Sequence, residues 1–199
     1  VYDSRKIVEG CLFVCIKGAN FDGHQAAAEA TEKKAAAIIV SQEVVELPKQ
    51  SETTLIRVED TRYALAFVSA AWFDHPAKKL TTIGITGTKG KTTTTYLVKS
   101  ILENAGRKVG LVGTIEIIIG DTHIHAVNTT PESYLLQEYF AKMVESGCDT
   151  VVMEVSSQAL MLHRTQGFVF DFGIFTNLEP DHIGPNEHGS FEEYAHCKS

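Results

Sequence analysis

Apolar and polar positions alternate along this chain in a repeating order of short buried strands and amphipathic helices. Leu12 to Ile16 reads as a strand, His24 to Lys34 as an alanine-rich helix, Ala35 to Ser41 as a buried strand and Thr54 to Val58 as another. Asp60 to Phe73 has helical spacing, with Asp60 as its N-cap and His75-Pro76 as its stop. Together these elements predict a small N-terminal α/β domain over residues 1–78, with Ala77-Lys78-Lys79 as the linker to a second domain over 79–199. There the pattern predicts a strand from Leu80, a helix running to Ala105 with Gly106 as its stop, and a strand over Val109 to Thr114. Gly120-Asp121 predicts a hairpin turn, and Thr130-Pro131 an N-cap followed by proline at the first helical position. That helix runs to Ser146 and ends at Gly147. Thr150 to Val155 and Phe170 to Thr176 read as buried parallel strands, and Ser190 with Glu193 as the capping box of a last helix. The fold class is therefore α/β with a mainly parallel sheet in the second domain. Such domains cover their sheet on both faces, so the second domain is expected to be truncated where the sequence stops.

Composition narrows the class of partner. The 199 residues are 44% hydrophobic and 22% charged, enough for one large or two small cores. A net charge of −7 argues against broad binding to nucleic acid or anionic membranes, while leaving room for a local basic pocket. Cys11, Cys15, Cys148 and Cys197 form no CxxC pair, which argues against zinc and predicts reduced thiols in a cytoplasmic protein. No apolar run reaches the roughly 18 residues of a membrane span, and no signal-peptide pattern opens the chain. The start at Val1, without an initiator Met, is the one expected of a trimmed product.

The chemistry is concentrated at Gly84-Ile85-Thr86-Gly87-Thr88-Lys89-Gly90-Lys91-Thr92-Thr93-Thr94, a glycine-rich turn between a strand and a helix. Glycines there let successive backbone N–H groups close around phosphate oxygens. The helix N-terminus adds positive potential, Lys91 reaches the outer phosphates and Thr92 is suited to Mg²⁺. The spacing is a variant: Gly87 leaves two residues before Gly90-Lys91, and Gly84 leaves five. A nucleoside triphosphate, ATP, is the expected ligand, with Gly87, Thr88, Lys89, Gly90, Lys91, Thr92 and Thr93 around its phosphates. Ligands of open α/β sheets bind beyond the carboxyl ends of the strands, which selects Glu154 and the Asp181-His182 pair as candidate Mg²⁺ ligands. His123, His125, His163, His188 and His196 have no comparable strand-end setting, and His123 and His125 decorate a hairpin strand.

These residues resemble the Mur ligases nearly end to end, and among them the MurE type, which adds the third amino acid to UDP-N-acetylmuramoyl-L-alanyl-D-glutamate. The resemblance is carried by Asp3-Ser4-Arg5, Gly10-Cys11-Leu12-Phe13-Val14, Asp22-Gly23-His24, Gly87 to Thr92, Asn128-Thr129-Thr130-Pro131-Glu132, Glu154-Val155-Ser156-Ser157, and Phe175-Thr176-Asn177-Leu178 with Asp181-His182. It implies an ATP-dependent amide-bond ligase of peptidoglycan precursor synthesis. Such an enzyme phosphorylates the D-glutamate side-chain carboxyl and lets an incoming amine displace phosphate. It further implies that Lys91 is catalytic and that Thr92 and Glu154 serve one Mg²⁺. Glu154, His182 and a carbamylated lysine, matched by Lys198 ten positions after His188, would serve a second. By the same resemblance Ser4, Asn20 and Phe21 contact the uridine-diphosphate end of the UDP-N-acetylmuramoyl dipeptide, and Thr129, Thr130, Ser156 and Arg164 hold the muramoyl peptide.

The sequence departs from the family pattern at Lys89, where Asn is usual, at Leu162, where some members carry a glutamine that contacts substrate, and in a longer stretch from Asp181 to Gly189. Members also carry a third domain after this point, so the 199 residues alone are expected to show weak or absent ligase activity and do not reveal which amino acid is added. The phosphate loop would equally suit folylpolyglutamate synthases, related Mur ligases, a GTPase-like switch or a noncatalytic UDP-sugar-binding module. The chain lacks an Asn-Lys-x-Asp segment for guanine.

Overall fold

The computed structural model describes residues 1–18, 21–41, 51–181, 184 and 188–198. The chain divides into two compact units, Val1–Leu65 and Ala66–Ser199.

The first unit carries three parallel strands in the order β1 (Leu12–Val14), β2 (Ala37–Val40) and β3 (Thr54–Arg57). Helix α1 (Ala27–Glu32) connects β1 to β2, and it is shorter than the alanine pattern suggests because Gly23–Ala26 wind as a 3₁₀ turn first. Asp22 caps that turn by accepting from His24 N. Phe13, Cys15, Ala27, Ala30, Ile38 and Val40 form its core. Asp60 caps α2 (Thr61–Trp72) as expected, its Oδ1 accepting from Arg62 N at 2.7 Å and Tyr63 N at 2.9 Å.

The division falls within α2, earlier than the boundary at residue 78 read from the sequence. Asp74 and His75 end the helix with φ of 57° and 48°, a left-handed reversal that is uncommon away from glycine. Ala77-Lys78-Lys79 is then no free linker. Pro76–Lys79 form a 3₁₀ turn, and Ala77 and Leu80 are buried in the core of the second unit.

That unit is built on a six-stranded sheet in the order β7-β6-β5-β8-β4-β9, formed by β4 (Thr81–Thr86), β5 (Val109–Val112), β6 (Glu116–Ile119), β7 (Thr122–His125), β8 (Thr150–Glu154) and β9 (Phe172–Phe175). Strands β4, β5, β8 and β9 run parallel, and β6–β7 add an antiparallel hairpin turned at Gly120, whose φ is 56°. Helices α3 (Lys91–Asn104), α4 (Ser133–Glu145), α5 (Ser157–Met161) and α6 (Phe191–Lys198) join and cover the strands. Strand β8 is buried throughout, as an apolar run between two parallel neighbours requires. Strand β9 is parallel but not buried. It pairs only with β4 at the sheet edge, leaving Phe172 60% and Phe175 49% exposed.

Thr130 also departs from expectation. Helix α4 starts at Ser133 behind Glu132, and the Thr130 hydroxyl instead donates to Glu154 O at 2.9 Å and accepts from Ser156 N at 3.1 Å. A buried hydroxyl between two strand-end backbone groups serves them better than it could serve a helix two residues away. Among the described residues no helix is long and apolar enough to cross a membrane.

Candidate active site

The loop after β4 is clamped by the segment after β9. Thr88 N donates to Asn177 O at 3.0 Å, Lys89 N donates to Asn177 Oδ1 at 2.9 Å, and Thr176 Oγ1 and Asn177 Nδ2 both donate to Lys89 O, at 2.8 and 3.0 Å. Glycine is required at position 87: its φ is 141°, and a Cβ there would sit 2.0 Å from Thr176 Oγ1. Gly90, with φ of 81°, turns the chain into α3. Thr93 lies exposed on the first turn of α3.

Two lysines meet over this loop. Lys91 Nζ donates to Gly87 O at 2.8 Å and Thr88 O at 3.1 Å, while Lys198 Nζ, at the end of α6, donates to the same Gly87 O at 3.0 Å and to Thr86 Oγ1 at 3.2 Å. Burial pulls the Lys91 ammonium below its usual range, with Glu154 opposing. Burial, reinforced by the Lys91 charge, pulls Lys198 down to about 8. Its Nζ stands 5.0 Å from the centroid of the Tyr194 ring. Lys89 has a different setting: its exposed side chain pairs with Glu179 Oε2 at 2.6 Å.

Glu154, at the carboxyl end of β8, is almost fully buried yet well supplied with donors. Oε2 accepts from Thr92 Oγ1 at 2.9 Å and Thr114 Oγ1 at 3.1 Å, and Oε1 from Thr114 N at 2.8 Å. The loop threonine and the strand-end carboxylate thus face one another, an all-oxygen donor pair of the kind that suits Mg²⁺. Among the described residues no group of three or more His, Cys, Asp or Glu side chains forms a metal cluster.

Beside this pair opens a cavity of about 250 Å³ lined by Lys91, Thr129, Thr130, Ser156, Arg164 and Lys198, together with His188. Arg164 is held at its wall, Nη1 donating to Thr130 O at 3.1 Å and Nε lying 2.9 Å from Glu132 Oε1, close enough for ion pairing although the angle makes no hydrogen bond. Ser156 caps α5, accepting from Ala159 N at 3.2 Å. The two lysines, the two threonines, Ser156 and Arg164 of the sequence reading therefore share one cavity, and Thr92 and Glu154 share a hydrogen bond. Ser4, in a 3₁₀ turn, and exposed Phe21 belong to the first unit. Asn20 and His182 lie outside the described residues.

Sequence reasoning passed over three residues here. Thr114 donates twice to Glu154, His188 is buried at the cavity wall, and Tyr194 Oη lies 2.9 Å from Thr88 Oγ1. For Tyr194 the available signal was its position four residues before Lys198 on a helix, which puts both on one face.

Comparison with known proteins agrees with this architecture. Residues 85–199 match the Mur ligase middle domain and residues 1–72 the Mur ligase family catalytic domain. The UDP-N-acetylmuramoyl-L-alanyl-D-glutamate–2,6-diaminopimelate ligase of Clostridium perfringens is 49% identical over 99% of this chain, and that of Caldanaerobacter subterraneus is 48% identical over 100%. The chain spans 40% of the length of each of these relatives. A solved structure of a ligase with the same substrate name superposes with a TM-score of 0.81 at 24% identity, covering 100% of this chain and 39% of the other. With both units matched and the phosphate loop, the strand-end carboxylate and the cavity assembled in the second, this chain belongs to the Mur ligase family.

Proposed function

We propose that this chain carries the acceptor-substrate and phosphate-binding parts of a cytoplasmic, ATP-dependent ligase that joins an amino acid to UDP-N-acetylmuramoyl-L-alanyl-D-glutamate. By analogy with the named relatives that amino acid is 2,6-diaminopimelate. The observation that carries the reading is the convergence of Lys91 and Lys198 with Thr129, Thr130, Ser156 and Arg164 on one cavity.

A carboxylate is a poor electrophile, and polyphosphate repels it. Activation therefore needs cationic groups where the carboxylate oxygen meets the terminal phosphorus. In this reading the loop Gly87 to Thr93 holds the phosphates, and Lys91 leaves the Gly87 and Thr88 carbonyls to neutralise the transferring phosphoryl group. Arg164 supplies a planar donor fork for a substrate carboxylate, pre-set by Glu132 and Thr130 O. The hydroxyls of Thr129 and Ser156 orient the peptide. Amine attack on the resulting acyl phosphate then forms the amide and releases phosphate. Ser4, Asn20 and Phe21 are assigned to the UDP end.

Thr92 and Glu154 fit Mg²⁺, since both present oxygen and together they leave most of an octahedral shell to phosphates and water. His182 and Lys198 are assigned to a second ion. An ammonium cannot ligate a cation, so Lys198 must first be converted: its neutral amine attacks CO₂, an N–C bond forms, a C=O π pair moves onto oxygen and one N–H proton leaves to solvent. The burial that brings Lys198 to about 8 supports that step by enriching the free amine near neutrality. When bound, the ions supply charge neutralisation along the phosphates.

The test is equilibrium binding of Mg·ATP to the chain and to Lys91→Ala and Glu154→Gln. Loss of at least ten-fold in affinity in Lys91→Ala, and a weakened Mg²⁺ requirement in Glu154→Gln, is expected. Unchanged binding in both variants would remove the assignment.

A further inference from the structure

Tyr194 is the largest fully buried side chain of the protein, and it belongs to the helix that ends in Lys198. Burial of a tyrosine hydroxyl requires a partner, and here the partner is the phosphate loop itself, through Thr88 Oγ1 at 2.9 Å. Thr88 Oγ1 also accepts from Glu179 N at 2.9 Å and donates to Glu179 O at 3.2 Å. A threonine hydroxyl has one proton and two lone pairs, so the arrangement that satisfies all three contacts makes Tyr194 the donor.

The ring has a second task. Lys198, four residues on and on the same face of α6, carries its Nζ 5.0 Å from the ring centroid, while the His188 ring meets Tyr194 edge-on at 5.3 Å and Phe191 flanks it at 6.4 Å. The remaining contacts of Lys198 Nζ are Gly87 O and Thr86 Oγ1, at the start of the same loop. A lysine stem left to itself samples many rotamers. This one is confined by a loop carbonyl on one side and by a ring tied to the next loop residue on the other.

We propose that Tyr194 is a positioning residue that couples the phosphate loop to Lys198, so that nucleotide bound at the loop and CO₂ bound at Lys198 stabilise one another. The inference rests on the reading of Lys198 as the carbamate-bearing lysine. Its physical basis is that any movement of Thr88 and Gly87 around a phosphate shifts both walls of the Lys198 site together. Coupling between two such sites is reciprocal. Its size is set by the one hydrogen bond that joins them, which corresponds to about a five-fold change in an equilibrium constant.

The experiment is a titration of the chain with ¹³C-bicarbonate, following the carbamate resonance by NMR with and without Mg·ADP, in the wild type and in Tyr194→Phe. Phenylalanine keeps the ring beneath Lys198 and deletes the bond to Thr88. In the wild type, Mg·ADP should lower the bicarbonate concentration for half-occupancy about five-fold. In Tyr194→Phe the carbamate should still form, but with that shift reduced below about two-fold. A merely structural role would lower the melting temperature and leave the shift intact, and that result overturns the proposal, as does a wild type whose carbamate ignores Mg·ADP. A wild type that binds Mg·ADP but gives no carbamate resonance refutes the assignment of Lys198 together with this coupling, while leaving the phosphate loop standing. If Tyr194→Phe fails to fold, Thr88→Val cuts the same bond from the loop side and is held to the same outcomes.

Discussion

Replacing Thr130 by Val separates the hydroxyl's role from that of the side chain's shape. Thr130 is 1% exposed, and its hydroxyl joins Glu154 O, at the end of β8, to Ser156 N, at the start of α5. Valine fills the same space but offers neither acceptor nor donor, leaving a carbonyl and an amide buried without their partner. Each such group costs about 1–3 kcal/mol, and the added methyl returns about 0.8, so a net loss of about 2–4 kcal/mol is expected. Serine is the control. It keeps both hydrogen bonds and gives up one methyl, about 1 kcal/mol. Urea unfolding followed by circular dichroism measures the difference, and amide hydrogen exchange locates it, because the Ser156 amide should lose protection in Thr130→Val and keep it in Thr130→Ser. Equal stability of the two variants, with Ser156 equally protected, would refute the bridging role.

Other consequences follow from the loop and its lysines. In CO₂-free buffer the folded chain holds fewer protons on Lys198 than the unfolded chain between about 8 and 10.5, so unfolding free energy should rise with pH across that window and the rise should shrink in Lys198→Met, as read by urea titration at several pH values. Gly87→Ala demands a Cβ 2.0 Å from Thr176 Oγ1 at a φ of 141° and should abolish Mg·ADP binding in a fluorescence titration. Lys89→Asn removes a cation already paired with Glu179 on the exposed side of the loop, so ATP affinity should change less than about three-fold at any salt concentration.

Local signals read through correctly where the physics is local. Asp60 before an apolar helix, Gly106 and Gly147 after two others, and the Gly120 turn each act within a few residues, and each stands where the pattern puts it. The phosphate loop is equally legible because its glycines, lysine and threonine are contiguous. What depends on topology was not legible. The apolar stretch around Phe172 looks buried, yet its place at the end of the strand order exposes it. Thr130-Pro131 has the form of a cap, but a strand end brought beside it takes the hydroxyl. Lys198 would pass for a solvated terminal charge, and only the docking of α6 against the loop buries it; the family resemblance supplied what the residue alone could not.

The central claim is that one cavity in the second unit receives the acceptor peptide beside the phosphate loop. Calorimetric titration of the chain with UDP-N-acetylmuramoyl-L-alanyl-D-glutamate, with and without saturating Mg·ADP, tests it most directly when repeated on Arg164→Met. The account predicts that the wild type binds both ligands and that Arg164→Met weakens the peptide at least ten-fold while leaving Mg·ADP unchanged. Peptide affinity unaffected by Arg164→Met, or a folded chain that binds Mg·ADP but no peptide, would contradict it.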